Sequence, residues 1–180
     1  MIIDYQVIDN FLPQNLFTQI KENVVDNEGF PWYHTRYIST ANTPSDTEHS
    51  YFCHGVFKDN KVHSELFQLL ELVLHRLPNF NVLQRIKINF YIPCPIVEDH
   101  EKHRDLKVPH QSAILSLNTC NGYTRLHDGT KVDSVANRLL LFDGSKLHNS
   151  TSTSDYGLPK GRFNINFNYF PKNLIYQPRT

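Results

Sequence analysis

The chain carries no net charge, because eighteen Lys and Arg balance eighteen Asp and Glu over 180 residues. No whole-molecule field is available to draw in nucleic acid or an anionic membrane, so a charged partner has to be met by a local patch. Cysteine is scarce. Cys53, Cys94 and Cys120 are an odd number set far apart, without the paired spacing of a thiolate zinc site or the density of a small secreted scaffold, and three reduced, mostly structural thiols are expected. No apolar run approaches the ~20 residues needed to cross a bilayer. The N-terminal Met1-Ile-Ile-Asp-Tyr lacks the basic stretch and apolar segment of a signal peptide. The expectation is a soluble, cytoplasmic protein with no membrane partner and with nucleic acid disfavoured. Glycine is sparse too, 7 residues against 12% aromatic positions. That excludes a low-complexity chain, since there is apolar surface enough to offset the entropy of ordering the backbone. With 39% hydrophobic positions over 180 residues there is room for one core, and a single domain over 1–180 is expected.

Residues 2–8 alternate enough for a short strand, and Asp9-Asn10-Phe11-Leu12-Pro13 then offers a capping residue and a proline suited to opening a helix. Leu16, Phe17, Ile20 and Val24 recur at helical spacing, which predicts a helix over 13–26 with one face on the core. The texture from Gly29 to Gly55 predicts irregular strands and a long polar loop over 39–50. Residues 62–77 read as the clearest helix, ended by Pro78, with His63 and His75 as surface or packing histidines. Beyond Pro78 the period switches to two, in 86–91, 112–117, 138–142 and 162–169. Two helices followed by a run of strands is an α+β order, mainly β, with helices bracing one side of a β sandwich or barrel.

The 10 histidines can bind metal or move protons near neutral pH. One segment, His100-Glu101-Lys102-His103-Arg104-Asp105, contains His-x-Asp just past a predicted strand. In extended backbone residues i and i+2 point to one face, so His103 and Asp105 can aim an imidazole and a carboxylate at a single point. A third ligand from a distant strand would complete two His and one carboxylate on one face of an octahedral ion, the open-sided arrangement that non-haem Fe(II) oxygenases use. His148, after the apolar strand 138–142, is well placed for it. His100 competes as the proximal ligand, but its i+2 neighbour is Lys102, which is no carboxylate. His110 reads as a supporting or substrate-side residue, and His127-Asp128-Gly129 as a tight turn. On the last strand Arg162 shares a face with Asn164, Asn166 and Asn168, while Phe163, Ile165 and Phe167 take the other. A row of amides beside a guanidinium suits the lining of a polar pocket, and a guanidinium there suits bidentate capture of a carboxylate.

His103-x-Asp105, His148 and Arg162, in that order, resemble the iron(II)/2-oxoglutarate-dependent dioxygenases, and most of all their prolyl 4-hydroxylase-like branch. Leu117-Asn118, Asn121-Gly122-Tyr123-Thr124 and Asn137-Arg138-Leu139-Leu140-Leu141-Phe142-Asp143 are similar to that branch's strand and turn signatures between the ligands. The resemblance spans roughly residues 85–170, with a weaker echo in Asp9-Asn10-Phe11-Leu12. It implies a double-stranded β-helix (jelly roll, cupin-like) as the catalytic core over 81–172, with 1–80 supplying helical support and substrate-side strands. It implies His103, Asp105 and His148 as Fe(II) ligands and Arg162 as the partner of the distal carboxylate of 2-oxoglutarate. Tyr91, on the strand before the ligands, matches a position that often hydrogen-bonds the cosubstrate, Asn89 points to the same side, and Asn164 shares the face of Arg162. Ser116 matches a position where relatives often place a tyrosine against that distal carboxylate; the serine side chain is too short to reach it except through a bridging water. The stretch Asn149–Gly161 is a departure that lengthens the step from the distal histidine to the arginine.

The implied reaction uses molecular oxygen, converts 2-oxoglutarate to succinate and carbon dioxide, and hydroxylates an unactivated carbon of a prolyl or other amino-acid residue or a small molecule. A peptide or small-molecule substrate is expected, against a wall drawn from 31–56 (Trp32, Tyr33, His34, Arg36, Tyr37, His54) and the loop 94–102. Two other classes stay open. A cupin-like metal hydrolase or isomerase would make Arg162 dispensable and work with zinc; a non-catalytic jelly-roll binding module would bind no metal.

Overall fold

In the computed structural model, which describes residues 2–35 and 51–172, the elements run β1 (Tyr5–Ile8), α1 (Gln14–Val24), β2 (Tyr33–Thr35), β3 (Tyr51–Lys58), β4 (Lys61–Val62), α2 (Phe67–Leu74), β5 (Phe80–Tyr91), β6 (Gln111–Ser116), β7 (Tyr123–Arg125), β8 (Lys131–Asp133), β9 (Leu139–Asp143), β10 (Asn149–Ser150) and β11 (Arg162–Pro171). The larger sheet has the order β1-β9-β6-β11-β5-β3-β2, with β4 attached to β3, and the smaller one β10-β7-β8. Isolated bridges from Pro93 to Thr153, Asp99 to Thr151 and His103 to His148 continue the smaller sheet across the segment after β5. The result is the expected mainly β jelly roll, and the site forms where its two sheets face each other.

Period two on β11 decides which side each residue serves. Phe163, Ile165, Phe167 and Tyr169 join Leu16, Phe17, Ile20 and Val24 of α1 and Leu70, Val73 and Leu74 of α2 in one apolar cluster. Burying a side chain such as Ile165 contributes roughly 1.5–3 kcal/mol. The alternate residues Arg162, Asn164, Asn166 and Asn168 face the smaller sheet, and pairing with β5 sets Arg162 opposite Tyr91, Asn164 opposite Asn89 and Asn166 opposite Lys87. On the other side of β11, Asn164 lies opposite Ser116 of β6. A second apolar cluster, Ile114, Leu126, Val132, Leu140 and Phe142, fills the inter-sheet space beside the polar face.

Three expectations for the N-terminal half need correction. The helix over 62–77 is only α2, because Asp59 and Asn60, at φ 53° and 56°, make a two-residue left-handed turn of the kind that closes a hairpin. That turn pairs Val62 with Phe57 as β4, and His63, expected as a surface or packing histidine on that helix, is exposed beside the hairpin. The helix start has no side-chain cap: Pro13 is the residue before α1, Asp9 pairs instead with Arg138 at 2.6 Å, and Asn137 holds the entering backbone through Leu12 N–H and C=O. Trp32 and His54 do not form an open wall; Trp32 packs on Phe30, Phe90 and Phe163, and His54 on Phe30. Tyr33 and His34 are exposed, whereas Arg36, Tyr37 and the loop 39–50 lie outside the described residues.

Candidate active site

His103 and His148 approach as a two-way backbone bridge, each N–H donating to the other's carbonyl at 2.8 and 3.0 Å, which sets their rings 4.6 Å apart. With Asp105 they form a cluster whose potential ligand atoms all lie within 4.8 Å of one another. The Nδ1 atoms are taken by backbone carbonyls, His103 by Glu101 at 3.2 Å and His148 by Lys146 at 3.0 Å. A proton on Nδ1 leaves each Nε2 with a free lone pair, the tautomer that binds metal. Burial, reinforced by the neighbouring His148, pushes the His103 imidazole down to about 4, so it is neutral at pH 7.

Asp105 is held by an unusually dense set of donors. Arg85 Nη2 donates to Oδ1 at 2.8 Å, Ser112 Oγ to Oδ2 at 2.6 Å and Asn168 Nδ2 to Oδ2 at 3.0 Å, while Asn166 Nδ2 reaches both oxygens at 3.2 Å. Burial alone would raise this carboxyl, but His148, Arg85 and His103 and the Ser112 hydrogen bond outweigh it and hold it well below the usual carboxylate range. Four donors outside the cluster, Arg85, Ser112, Asn166 and Asn168, thus hold the carboxylate in one orientation. His110, fully buried, stands behind this cage with Nε2 3.3 Å from Ser112 Oγ, in the supporting rather than the substrate-side of the two places the sequence leaves open.

The cluster opens into a cavity whose far end is Arg162. That guanidinium is 1% exposed and donates to Ser134 Oγ (2.7 Å), Thr151 O (3.1 Å) and Thr124 Oγ1 (2.9 Å), all neutral. No carboxylate pairs with it among the described residues. A buried cation without a counter-charge is costly, and the arrangement makes sense as a receptor for an anion. Gly122 closes over it: a Cβ there would stand 2.8 Å from Arg162 Cδ and 2.6 Å from Ser152 O. Tyr91 lies against the guanidinium, 5.5 Å from its ring centre, and Asn89 Nδ2 donates to Asn164 Oδ1 while its own Oδ1 is buried with no partner. An orphaned polar atom on a cavity wall is available to a ligand or a water.

No protein-family model and no curated protein matches the sequence. Solved structures do match in shape. A 2OG-Fe(II) oxygenase family oxidoreductase from Burkholderia pseudomallei superposes with TM-score 0.68 at 10% identity, covering 93% of this chain and 88% of that one. A prolyl hydroxylase from Trichoplax adhaerens, solved with a hypoxia-inducible-factor peptide fragment, gives 0.60 at 15% identity over 93% and 84%. HygX from Streptomyces hygroscopicus, solved with nickel and 2-oxoglutarate, gives 0.57 at 11% identity over 94% and 83%. The fold is that of the 2OG-Fe(II) oxygenases.

On this oxygenase fold the structure brings His103, Asp105, His148, Arg162, Tyr91, Asn89 and Asn164 to one cavity. Ser116 is the exception: it is buried opposite Asn164, but its side chain is too short to line the cavity, where Ile114 and Thr124 stand instead. His100 lies outside the cluster, with Nδ1 2.9 Å from Ser150 Oγ and its ring against Tyr91. The lengthened stretch after His148 does not upset the register, because Asn149–Ser150 pairs with β7 and Thr151 and Thr153 bridge the segment after β5. Arg85, Lys87 and Tyr51 escaped the sequence reading. The signal was present: Arg85, Lys87, Asn89 and Tyr91 alternate along β5 as a polar stripe matching that of β11. No helix among the described residues is long and apolar enough to cross a membrane.

Proposed function

We propose that the chain is an Fe(II)- and 2-oxoglutarate-dependent dioxygenase that hydroxylates an unactivated carbon of a prolyl or other amino-acid residue or of a small molecule. The observation that carries this reading is the pairing, in one cavity, of a two-His, one-carboxylate cluster with a buried guanidinium that has no counter-ion among the described residues. The hydrolase or isomerase reading and the binding-module reading leave that guanidinium without a purpose. The donor set suits iron(II), since two imidazoles and one carboxylate on a single side leave positions for other ligands. His103, Asp105 and His148 would hold it, and Arg162 would take the distal carboxylate of 2-oxoglutarate.

Bound iron and 2-oxoglutarate supply the oxidation chemistry, in which dioxygen hydroxylates the substrate carbon and 2-oxoglutarate becomes succinate and carbon dioxide. The chain's own residues supply position and shielding. Glu101 and Lys146 carbonyls fix the two ring tautomers, and the Asp105 cage leaves that carboxylate no freedom to swing. Thr124 and Ser134 orient the guanidinium, and the Tyr91 ring packs against it. A peptide substrate is supported by the likeness to a prolyl hydroxylase solved with a peptide fragment. The test is conversion of 2-oxoglutarate to succinate by the Fe(II)-loaded protein in air, with candidate peptides and amino acids added. Succinate formation lost in His148→Ala bears the proposal out; none above the metal-free protein with any addition counts against it.

A further inference from the structure

Three cations, Arg85, Lys87 and Arg162, face the inter-sheet space from β5 and β11, and Asp105 is the carboxylate among them. Arg85 takes Asp105 as its ion-pair partner. Under the proposed function Arg162 takes the distal carboxylate of 2-oxoglutarate. Lys87 is left over. Its Nζ donates to Tyr51 Oη at 2.9 Å and lies 5.3 Å from the centre of the Tyr51 ring. It has no ion pair among the described residues. Lys87 lines the same cavity as the His103, Asp105 and His148 cluster, opposite Asn166, whose amide reaches Asp105. It is therefore at the metal end, two strand positions beyond Asn89 and four from Tyr91, while Arg162 closes the other end. Tyr51 comes from β3, the neighbour of β5 on the edge side of the sheet, and its ring stacks on that of Tyr91 at 5.4 Å.

A partly buried ammonium with one neutral hydrogen bond is an unfavourable thing to keep unless something negative meets it. Burial, followed by the Arg85 charge, pulls the Lys87 amine down, and a bound anion would reverse that. Filling the site with iron(II) and both carboxylates of 2-oxoglutarate does not exhaust the positive charge, since Arg85, Lys87 and Arg162 all stay on the balance. A hydrophobic residue would pack at this position without the desolvation cost.

We infer that Lys87 and Tyr51 form a second carboxylate-binding position at the metal end of the cavity, separate from Arg162. The inference rests on the proposed function for its naming of the two ends. Two sources would present the same chemistry there, the metal-side carboxylate of 2-oxoglutarate and a carboxylate carried by the primary substrate. The first makes Lys87 a cosubstrate residue; the second makes it a specificity residue selecting a small acidic substrate or an acidic side chain.

The experiment uses the full chain as wild type, Lys87→Met and Lys87→Arg, with unfolding scans of the metal-free proteins to show that each folds. Mn(II)-loaded protein is titrated with 2-oxoglutarate by calorimetry. Line broadening of [1-13C]acetate by the bound Mn(II) is then measured with and without saturating 2-oxoglutarate. If the cosubstrate is the source, Lys87→Met weakens 2-oxoglutarate at least tenfold, Lys87→Arg recovers most of the loss, and acetate broadening in the saturated protein is unchanged. If the substrate is the source, 2-oxoglutarate affinity stays within twofold and acetate broadening in the saturated protein falls by half or more in Lys87→Met. Lys87→Met equal to wild type in both measurements overturns the inference. Wild-type protein that binds Mn(II) without 2-oxoglutarate counts against the proposed function instead, and acetate broadening without cosubstrate then decides Lys87 alone.

Discussion

Replacing Arg162 by methionine keeps most of the side chain's length and apolar stem and removes only the charged fork. In the ligand-bound state the fork would give a carboxylate two charge-assisted hydrogen bonds, each contributing about 1.5–3 kcal/mol. The sum, about 3–6 kcal/mol, corresponds to at least a 100-fold loss of affinity, since ~1.4 kcal/mol is tenfold. Folding should respond differently. Ser134, Thr124 and Thr151, 1%, 2% and 0% exposed, each lose a donor, at roughly 1–3 kcal/mol for each buried group left unpaired. Removing a buried cation that has no counter-ion among the described residues returns several kcal/mol of desolvation in the opposite direction. Calorimetric titration of Mn(II)-loaded protein with 2-oxoglutarate, beside urea unfolding of the metal-free protein, separates the two effects. The expected result is a dissociation constant raised about 100-fold or more with stability close to wild type. A dissociation constant within threefold of wild type, with a large loss of stability, would show that Arg162 is a structural tie between Ser134, Thr151 and Thr124 and would refute the reasoning.

Three other perturbations probe separate parts of the structure. Asn168→Ala removes one Asp105 donor and the hydrogen bond to Ser112, and metal affinity measured by competition with a chelator should fall about tenfold, toward the range found for residues that orient ligands. Ile165→Ala opens a void beneath the helices at a position of 0% exposure and should cost about 2–5 kcal/mol in urea unfolding, leaving Mn(II) affinity of the folded protein unchanged. Asp99, whose carboxyl is held below its usual value by Arg125 against the opposing effect of burial, with help from Asn149 and Tyr123, contributes stability above the ordinary carboxylate range. That contribution disappears as pH falls through the depressed value, so Asp99→Asn should be less stable than wild type at pH 7 and match it at the acid end of a urea series.

What the sequence made legible follows from periodicity. Leu16, Phe17, Ile20 and Val24 announce a helix face and are all buried in α1, and the alternation from Arg162 to Asn168 separates core side from cavity side as the structure does. The spacing of His103 and Asp105 points them to one place, and the structure adds His148 from across the chain. The misses lie where local pattern gives way to pairing. Val62 continues an apolar helical run in the sequence, yet the left-handed Asp59-Asn60 turn commits it to a hairpin. Ser116 sits on a cavity-facing strand, but a side chain of one heavy atom beyond Cβ does not span the distance. Lys87 and Arg85 share the polar stripe of Asn89 and Tyr91 in the sequence, but their partners Tyr51 and Asp105 are placed beside them by neither local period nor spacing.

The central claim is that one cavity holds iron at His103, Asp105 and His148 and 2-oxoglutarate between that iron and Arg162. Anaerobic titration of the metal-free protein with Fe(II) and then 2-oxoglutarate, followed in the visible region, tests it directly, because chelation by the keto acid at such an iron gives a charge-transfer band that iron alone does not. The account predicts that the band appears in wild type, is absent in Asp105→Ala and needs far more 2-oxoglutarate in Arg162→Met. Iron binding with no band at saturating 2-oxoglutarate, or a band that survives unchanged in Asp105→Ala, would contradict it.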